Sequence, residues 1–349
     1  MITAKSESSN DLDAHSFAHD TQLVDVLQEH LIRARASGGV FARSAAVPPW
    51  GIRFRGTIQL AVHAVVRGRA WLWTDHGGEP LELAPGDLAL VRGGPDHYIA
   101  HEPGARCVLP GEFRSVPADD TALSAPGSAV FLCGAYRFAG DIGRGLVTAL
   151  PPVLSLPASM DDPIHQVVTL LSREMLLTEP GKQTVLDRLL DVLVVLGLRA
   201  GLTRSETAPP WFRAASDPRV SPALEAMHAS AAKPWTVDDL ARLCNMSRAT
   251  FARVFQQALG QAPMQYLADW RMTLARDMLL SQTATLDEIA GQTSYSSVYA
   301  FATAFRRHHG EPPRRWQQRE LAAATVDDAA HGGQVSNVPP STGRTMPVT

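Results

Sequence analysis

The spacing of apolar and polar residues changes along the chain and divides it into regions of different predicted structure. From about residue 41 to 138, short apolar runs such as IQLAVHAVV and LALVR alternate with the turn sequences RGR, DHGG and GGPD. Strands that follow one another about every 8–12 residues, separated by Gly, Pro and Asp turns, are typical of a small β barrel or sandwich. This region is therefore predicted to be a β domain.

Helical spacing surrounds the β region. A short amphipathic helix is predicted within residues 21–36, and two longer helices, at about 163–177 and 184–202, are expected to form an antiparallel hairpin over residues 160–202. The hairpin carries more apolar side chains than one short partner helix covers, so it is predicted to mediate dimerisation. The residues of that face are Leu186, Leu189, Leu190, Leu193, Val194 and Leu198.

The remaining segments outside the helical C-terminal region are polar. Residues 1–20 and the Ala-, Gly-, Pro-, Ser- and Thr-rich residues 321–349 are expected to be disordered, and the proline-rich residues 203–218 are expected to form a linker. Two folded parts follow from this division: the β domain with its helices at 21–202, and a helical domain at 219–320.

The helical domain contains an internal repeat. The sequence TVDDLARLCNMSRATFARVFQQALGQAP, from Thr236, is matched by TLDEIAGQTSYSSVYAFATAFRRHHGEPP, from Thr285, at a spacing of 49 residues that becomes 50 after the turn. Each copy begins with a threonine followed three positions later by a carboxylate, a pair that starts a helix, although Thr236 with Asp239 is the weaker version. Gly260 and Gly310 are expected to end the second helix of each copy. Two helix-turn-helix units are therefore predicted, at about 236–259 and 285–309.

One long helix after Pro263 is predicted to connect the two units, with Tyr266, Leu267, Trp270, Leu274 and Leu279 turned inward. In this arrangement the second helix of each unit can enter a major groove of DNA. The aromatic residues at helical spacing are expected in the core and not stacked on bases. They are Phe251, Phe255, Trp270, Phe301, Phe305 and Trp316.

Charge and cysteine content fit this interpretation. Residues 219–320 hold 12 Lys and Arg against 9 Asp and Glu, a net of +3, which leaves −6 for the rest of a chain whose total is −3. A basic segment on an acidic body suits local contact with phosphates. The widely spaced cysteines, the absence of a signal peptide and the absence of an apolar stretch long enough to cross a bilayer predict a cytoplasmic protein that does not enter the membrane.

Residues 221–319 resemble the AraC/XylS family of transcription regulators. The motifs are W-T-x-x-x-L-A, M-S-R, F-x-x-x-F, G-x-x-P, Y-L-x-x-x-R and A-R-x-x-L-L, and then I-A, F-x-x-x-F and G-x-x-P in the second copy. Residues 21–202 resemble the cupin-like sensor domains of that family, through PWGIRF, HAVVRGRAWL, LAPGDLALVR and LCGAYRF. The resemblance implies an α+β multidomain protein, with a cupin-like β barrel and helical hairpin followed by an all-α domain of two helix-turn-helix units.

The resemblance also implies partners. These are double-stranded DNA, RNA polymerase, a small-molecule effector that binds the cupin-like domain, and a second copy of the chain in a homodimer. It implies no cofactor and no enzymatic activity.

The resemblance places base contacts near the start of each recognition helix. In the first unit these are Ala249, Thr250, Ala252 and Arg253, of which only Arg253 can form a bidentate bond to guanine. In the second unit they are Val298, Tyr299, Ala300 and Thr303, which suit apolar contact with thymine methyl groups. The second unit departs from the family at Ser294, where a glycine is usual, and at Thr303, where a basic residue is common. The expected phosphate contacts are Arg306, Arg307, Arg314 and Arg315, and Arg248 is also expected to bind DNA.

The predicted chemistry of the β domain is less specific. An effector pocket is expected to contain His63, Trp71, Trp73, His97 and Tyr98, and His63, His97 and Cys133 could converge on a metal. The H-x-H motif of metal cupins is absent, since His63 is followed by Ala64 and Val65, and a pocket without metal is preferred. Two alternatives remain open: a metal-dependent cupin oxygenase with an accessory helical domain, and a helical interaction module without DNA affinity.

Overall fold

The computed structural model describes residues 26–33, 37–116, 124–138, 140–205, 208–282 and 284–331. The predicted disordered segment 1–20 and residues 332–349 of the predicted tail lie outside these ranges. The strands are β1 (Ser37–Ala46), β2 (Gly51–Phe54), β3 (Leu60–Gly68), β4 (Ala70–Thr74), β5 (Leu81–Leu83), β6 (Leu88–Arg92), β7 (His97–Ala100), β8 (Ala129–Arg137) and β9 (Val153–Leu156).

The helices begin before the first strand and make up most of the second half of the chain. They are α1 (Val26–Arg33), α2 (Gly140–Thr148), α3 (Pro163–Glu174), α4 (Lys182–Arg204), α5 (Pro210–Ala215), α6 (Ser221–Ala229), α7 (Val237–Leu243), α8 (Arg248–Leu259), α9 (Pro263–Ser281), α10 (Leu286–Gln292), α11 (Val298–His309) and α12 (Pro313–His331). Among the described residues, none of the helices has the length and apolar character that crossing a membrane requires.

The strands form two antiparallel sheets that enclose an apolar core. One sheet has the order β1-β8-β3-β6-β9 and the other β2-β7-β4-β5. Buried side chains from both sheets, among them Trp50, Leu72, Ile99 and Phe131, fill the space between them. At the turn from β3 to β4, Gly68 has φ +77°, and a Cβ there would lie 2.0 Å from the Ser128 carbonyl oxygen, so only glycine fits this turn. The β domain predicted from the strand spacing is confirmed.

The hairpin of α3 and α4 packs on the outer face of the five-stranded sheet. Gly201 lets α4 approach closely, because a Cβ at this position would lie 2.3 Å from Cδ2 of Leu154 on β9. The side chains predicted to mediate dimerisation are mostly buried against this sheet, so their expected role was wrong: the sheet, and not a second copy, covers them. They are Leu186, Leu190, Leu193, Val194 and Leu198.

The segment 203–218 is not the polar linker expected from its composition. The helix α4 continues to Arg204, and α5 lies inside the segment. Ala214 of α5 is buried in the same core as Phe251 and Phe255 of α8, and Trp211 packs beside it. The prolines that suggested a linker instead begin a helix, since Pro210 stands at its first turn.

The helical domain has one apolar core for each half of the repeat. The first core joins α5, α6, α7 and α8 to the start of α9, and the second joins the end of α9 to α10, α11 and α12. The aromatic residues predicted to be core are buried in these clusters, apart from Trp270, which is buried against the β domain. The last helix differs from expectation, because α12 continues beyond residue 320 to His331, into the segment predicted to be disordered.

Candidate nucleic-acid interface

The first helix-turn-helix unit is fixed by caps at each helix start. Thr236 and Asp239 form a complete capping box, in which the Thr236 hydroxyl accepts from the Asp239 N–H at 3.1 Å and the Asp239 carboxylate accepts from the Thr236 N–H at 3.1 Å. These bonds from Thr236 lower the pKa of Asp239. Ser247 then caps α8 by accepting from the Thr250 N–H at 3.2 Å. The tight turn between the helices passes through Asn245 at φ 52°.

The helix α8 buries one face and exposes the other. Phe251 and Phe255 are fully buried, which turns Ala249, Arg253 and Gln256 outward in a stripe of positions i, i+4 and i+7. Thr250 and Gln257 are also exposed, and Ala252 is half-buried. The glutamines at positions 256 and 257 were not predicted as site residues. Their spacing of seven and eight residues from Ala249 is the signal that indicates the same face.

The second unit repeats this geometry with different side chains. Thr285 and Glu288 form a complete capping box, and Ser297 caps α11 by accepting from the Ala300 N–H at 3.2 Å. Ser294 has φ 65°, the left-handed conformation that explains why glycine is usual in this turn. The outward stripe of α11 is Tyr299, Thr303 and Arg306, while Val298 and Ala300 are half-buried.

The basic residues are distributed unequally between the two recognition helices. The last turn of α11 contains Arg306, Arg307, His308 and His309, whereas the last turn of α8 contains no basic residue. Arg314 and Arg315, at the start of α12, are exposed as well. Arg248 is exposed too, and its Nη1 lies 3.1 Å from Oδ2 of the exposed Asp238 on α7.

The connecting helix α9 is anchored to both halves. Arg271 on α9 donates to the carbonyl oxygens of Ala231 and Lys233, each at 2.8 Å, in the loop between α6 and α7. Leu267 is buried in the first core, and Leu279 is buried in the second. A helix packed into both cores fixes the spacing and direction of α8 relative to α11.

Inside the β domain, two of the predicted pocket residues meet in a buried chain of contacts. His63 Nδ1 lies 3.1 Å from Cys133 Sγ, and His63 Nε2 lies 2.9 Å from His97 Nε2. Burial lowers the pKa of His97 to about 4 and holds that of His63 well below its usual value, so both rings are neutral at pH 7. Burial also raises the pKa of the Cys133 thiol.

These contacts bear on the alternative of a metal held jointly by His63, His97 and Cys133. His97 and Cys133 lie on opposite sides of the His63 ring, so the three residues cannot reach one ion. More generally, the described part of the chain contains no group of three or more His, Cys, Asp and Glu side chains placed to hold a metal.

The predicted effector pocket is also divided by the sheet. His63 and His97 point into the filled interior, whereas the partly exposed Trp71, Trp73 and Tyr98 lie on the outer face of the four-stranded sheet. Trp73 and Tyr98 are paired across β4 and β7 and stack with ring centroids 5.3 Å apart. The side chains alternate along β4, so Leu72 fills the core and its two tryptophan neighbours cannot.

The comparisons with known proteins agree with both domains. The cupin family matches residues 25–203, and the helix-turn-helix domain family matches residues 240–319. An AraC-like transcription regulator of Streptomyces lividans is 31% identical over 294 residues, which are 83% of this chain and 97% of that protein. The transcriptional regulator AlkR of Acinetobacter baylyi is 27% identical over 77% of this chain and 91% of its own.

Among solved structures, a transcriptional regulator from Chromobacterium violaceum, described as containing an AraC-type DNA-binding domain, is similar to part of this chain. It shares 29% identity and covers 30% of this chain and 95% of its own, with a TM-score of 0.29. A match of 294 residues to the Streptomyces lividans protein must include parts of both the cupin region and the helix-turn-helix region. The chain therefore belongs to the AraC family of DNA-binding transcription regulators, with a cupin domain at its N-terminus.

Proposed function

We propose that this regulator reads DNA with the outward stripe of α8 and with Tyr299 and Thr303 of α11. The arginines at the end of α11 and the start of α12 hold the DNA backbone. The observation that carries the proposal is the matching exposure of equivalent positions in two units joined by one rigid helix. Such a pair suits two segments of major groove on one side of the duplex. Arg306, Arg307, Arg314 and Arg315 would neutralise phosphates, which makes affinity depend on salt.

The test is binding of the full chain to a random pool of duplexes, followed by titration of salt on the recovered duplex. Removing one phosphate contact, as in Arg307→Ala, should weaken binding to all sequences and reduce the salt slope by about one. Arg188→Ala removes an exposed arginine from the hairpin and serves as the matched control. No binding of the full chain to any duplex at low salt would contradict the proposal.

The cupin domain would sense a small molecule and would not act as an enzyme. Its interior is filled, and the void beneath the hairpin, lined by Val62, Leu132 and Leu190, measures about 10 Å³, room for one water at most. The surface proposed for the ligand is a groove of about 340 Å³ along α3, open to solvent and lined in part by His165, Gln166 and Arg173. A thermal-shift screen of metabolites on the full chain, repeated with Arg173→Ala, tests this site. If the protein converts a metabolite found in the screen into a product, that result would instead support the oxygenase alternative.

A homodimer in the cytoplasm, in contact with RNA polymerase, completes the proposal. The hairpin leaves apolar side chains exposed on α4, including Val185 and Val192. If these form the dimer contact, Val192→Glu should shift the sedimenting species to the monomer, while Gln183→Glu on the same helix should not. An unchanged dimer in Val192→Glu would remove this face from the proposal.

A further inference from the structure

The two recognition helices present the same geometry with opposite chemistry. A shift of 50 residues places Ala249 on Tyr299, Arg253 on Thr303, and Gln256 on Arg306. In α8 the first position is small and the middle one is a guanidinium. In α11 the first position is a large aromatic ring and the middle one is a small hydroxyl. The same surface is thus equipped for different contacts in the two units.

The side chains of α8 suit hydrogen bonds to base edges. Arg253 and Gln257 lie close together, with Arg253 Nη1 3.5 Å from Gln257 Oε1, and both can pair with purine edges in the major groove. The side chain of Ala249 is too short to compete with them for the groove.

The first half of α11 lacks such groups. Residues 298–303 read VYAFAT, and none of these side chains is charged or carries an amide. Tyr299 is 82% exposed, an unusual state for a large aromatic side chain, and Phe301 is fully buried beside it and fixes the direction of the helix. The apolar group that the major groove offers on a base edge is the C5 methyl of thymine.

We propose, on the basis of the DNA-binding function above, that α11 recognises thymine through its methyl group, with the Tyr299 ring as the main contact and Thr303 beside it. Arg306 and Arg307, about two turns after Tyr299 along the helix, then contact phosphates and supply affinity without sequence preference. The operator is therefore asymmetric: one segment is read by hydrogen bonds from α8, and the other is read by apolar contact with α11.

The test uses the full chain and a synthetic duplex of the sequence recovered from a random pool. The segment under α8 is identified as the one whose base preference relaxes in Arg253→Ala. In the other segment, each preferred thymidine is replaced by deoxyuridine, which removes the methyl group and keeps the base pair. We expect affinity to fall about fourfold for the methyl that Tyr299 covers, the transfer value of one buried methylene.

Variants of α11 make the assignment specific. Tyr299→Ala should bind the thymidine and deoxyuridine duplexes equally, whereas Tyr299→Phe, which keeps the ring, should retain the difference. Thr303→Arg, which copies position 253 and leaves Tyr299 in place, should add a preference for guanine beside the thymine of this segment.

A second segment without preferred thymine, or a deoxyuridine duplex that the wild-type protein binds as tightly as the thymidine duplex, would overturn the inference and leave DNA binding intact. Failure to recover any preferred sequence would overturn the proposed function itself, and the inference with it.

Discussion

Arg253 is the side chain of α8 with the strongest means of selecting a base. It is exposed one turn after the helix start, and Gln257 lies near enough to steady the guanidinium. Arg253→Ala should lower affinity for the preferred duplex by about 1–3 kcal/mol and relax the choice at one base pair. Thr303→Ala, at the equivalent position of α11, should cost less.

Competition binding and repeated selection from a random pool measure both effects. The base-reading role of Arg253 is refuted if Arg253→Ala recovers the same preferred sequence as the wild-type chain. A uniform loss of affinity with that unchanged preference would instead assign the side chain to the phosphate backbone.

The buried pair His63 and His97 makes the stability of the β domain depend on pH. In the unfolded chain a histidine with a pKa of about 6.5 takes up a proton as the pH falls, whereas folded His97, with a pKa of about 4, remains neutral. The folded state therefore has its full stability above about pH 6.5, and it loses stability as the pH falls toward 4, because only the unfolded chain takes up the proton. Between pH 7 and 5 the free energy of unfolding should fall by roughly 2 kcal/mol for His97 alone.

Urea denaturation at pH 7 and pH 5 tests this expectation. His97→Gln should have a smaller pH dependence than the wild-type chain, while His76→Gln, which alters an exposed histidine, should not differ from it. The same pH dependence in His97→Gln and in the wild-type chain would show that the pair does not titrate as described.

At the scale of elements, the helix α4 has one apolar side buried against the sheet and another that is exposed. Leu193 is 1% exposed against the five-stranded sheet, and Val192, the preceding residue, is 46% exposed. Leu193→Ala should therefore destabilise the protein by about 2–5 kcal/mol, because it leaves a cavity between helix and sheet. Val192→Ala should change stability by less than about 0.5 kcal/mol.

Denaturation of the two variants under one set of conditions gives the comparison. Similar losses of stability in both would mean that α4 does not pack as described. A large loss at Leu193 with an unchanged oligomeric state in the folded fraction agrees with its burial inside one chain.

Local sequence patterns predicted the elements far better than the contacts between them. The repeat, its caps and its buried aromatic residues could be predicted because each depends on neighbours within about one helical turn, as with Thr285 and Glu288. The burial of Leu193 against the sheet could not be predicted, because an apolar stripe on a helix does not specify which surface covers it. The predicted effector pocket combined residues from two faces of a sheet. Trp71 and Trp73 lie on the outer face, whereas Leu72 between them points into the interior.

At the scale of the whole molecule, α1 is part of both folded halves. Leu27 is buried in the core beneath the β domain, and Val26 is buried in the core of the first helix-turn-helix unit. The ring of His30 stacks on Trp211 of α5 with centroids 3.9 Å apart. The connecting helix α9 also contacts α2, so the β domain touches the element that sets the relation between α8 and α11.

Because α5 also packs in the core of the first unit, a stable DNA-binding fragment should include it. Residues 219–320 contain both units but lack Trp211 and Ala214, which pack on α8, and the end of α12. A fragment of residues 208–331 should be more stable than 219–320 by roughly 2–4 kcal/mol, the scale for losing large buried side chains. Thermal denaturation of both fragments, with DNA binding measured well below the lower midpoint, makes the comparison. Equal midpoints would mean that α5 contributes nothing to the fold of this domain.

The position of α1 also bears on how such regulators can recombine. A hybrid gene joined near residue 205 would take α1 from the parent of its sensor, and α5 and α6, which α1 contacts, from the parent of its DNA-binding half. Val26 and His30 would then face side chains that had not been selected together with them. Functional hybrids should therefore need α1 to come from the same parent as α5 and α6.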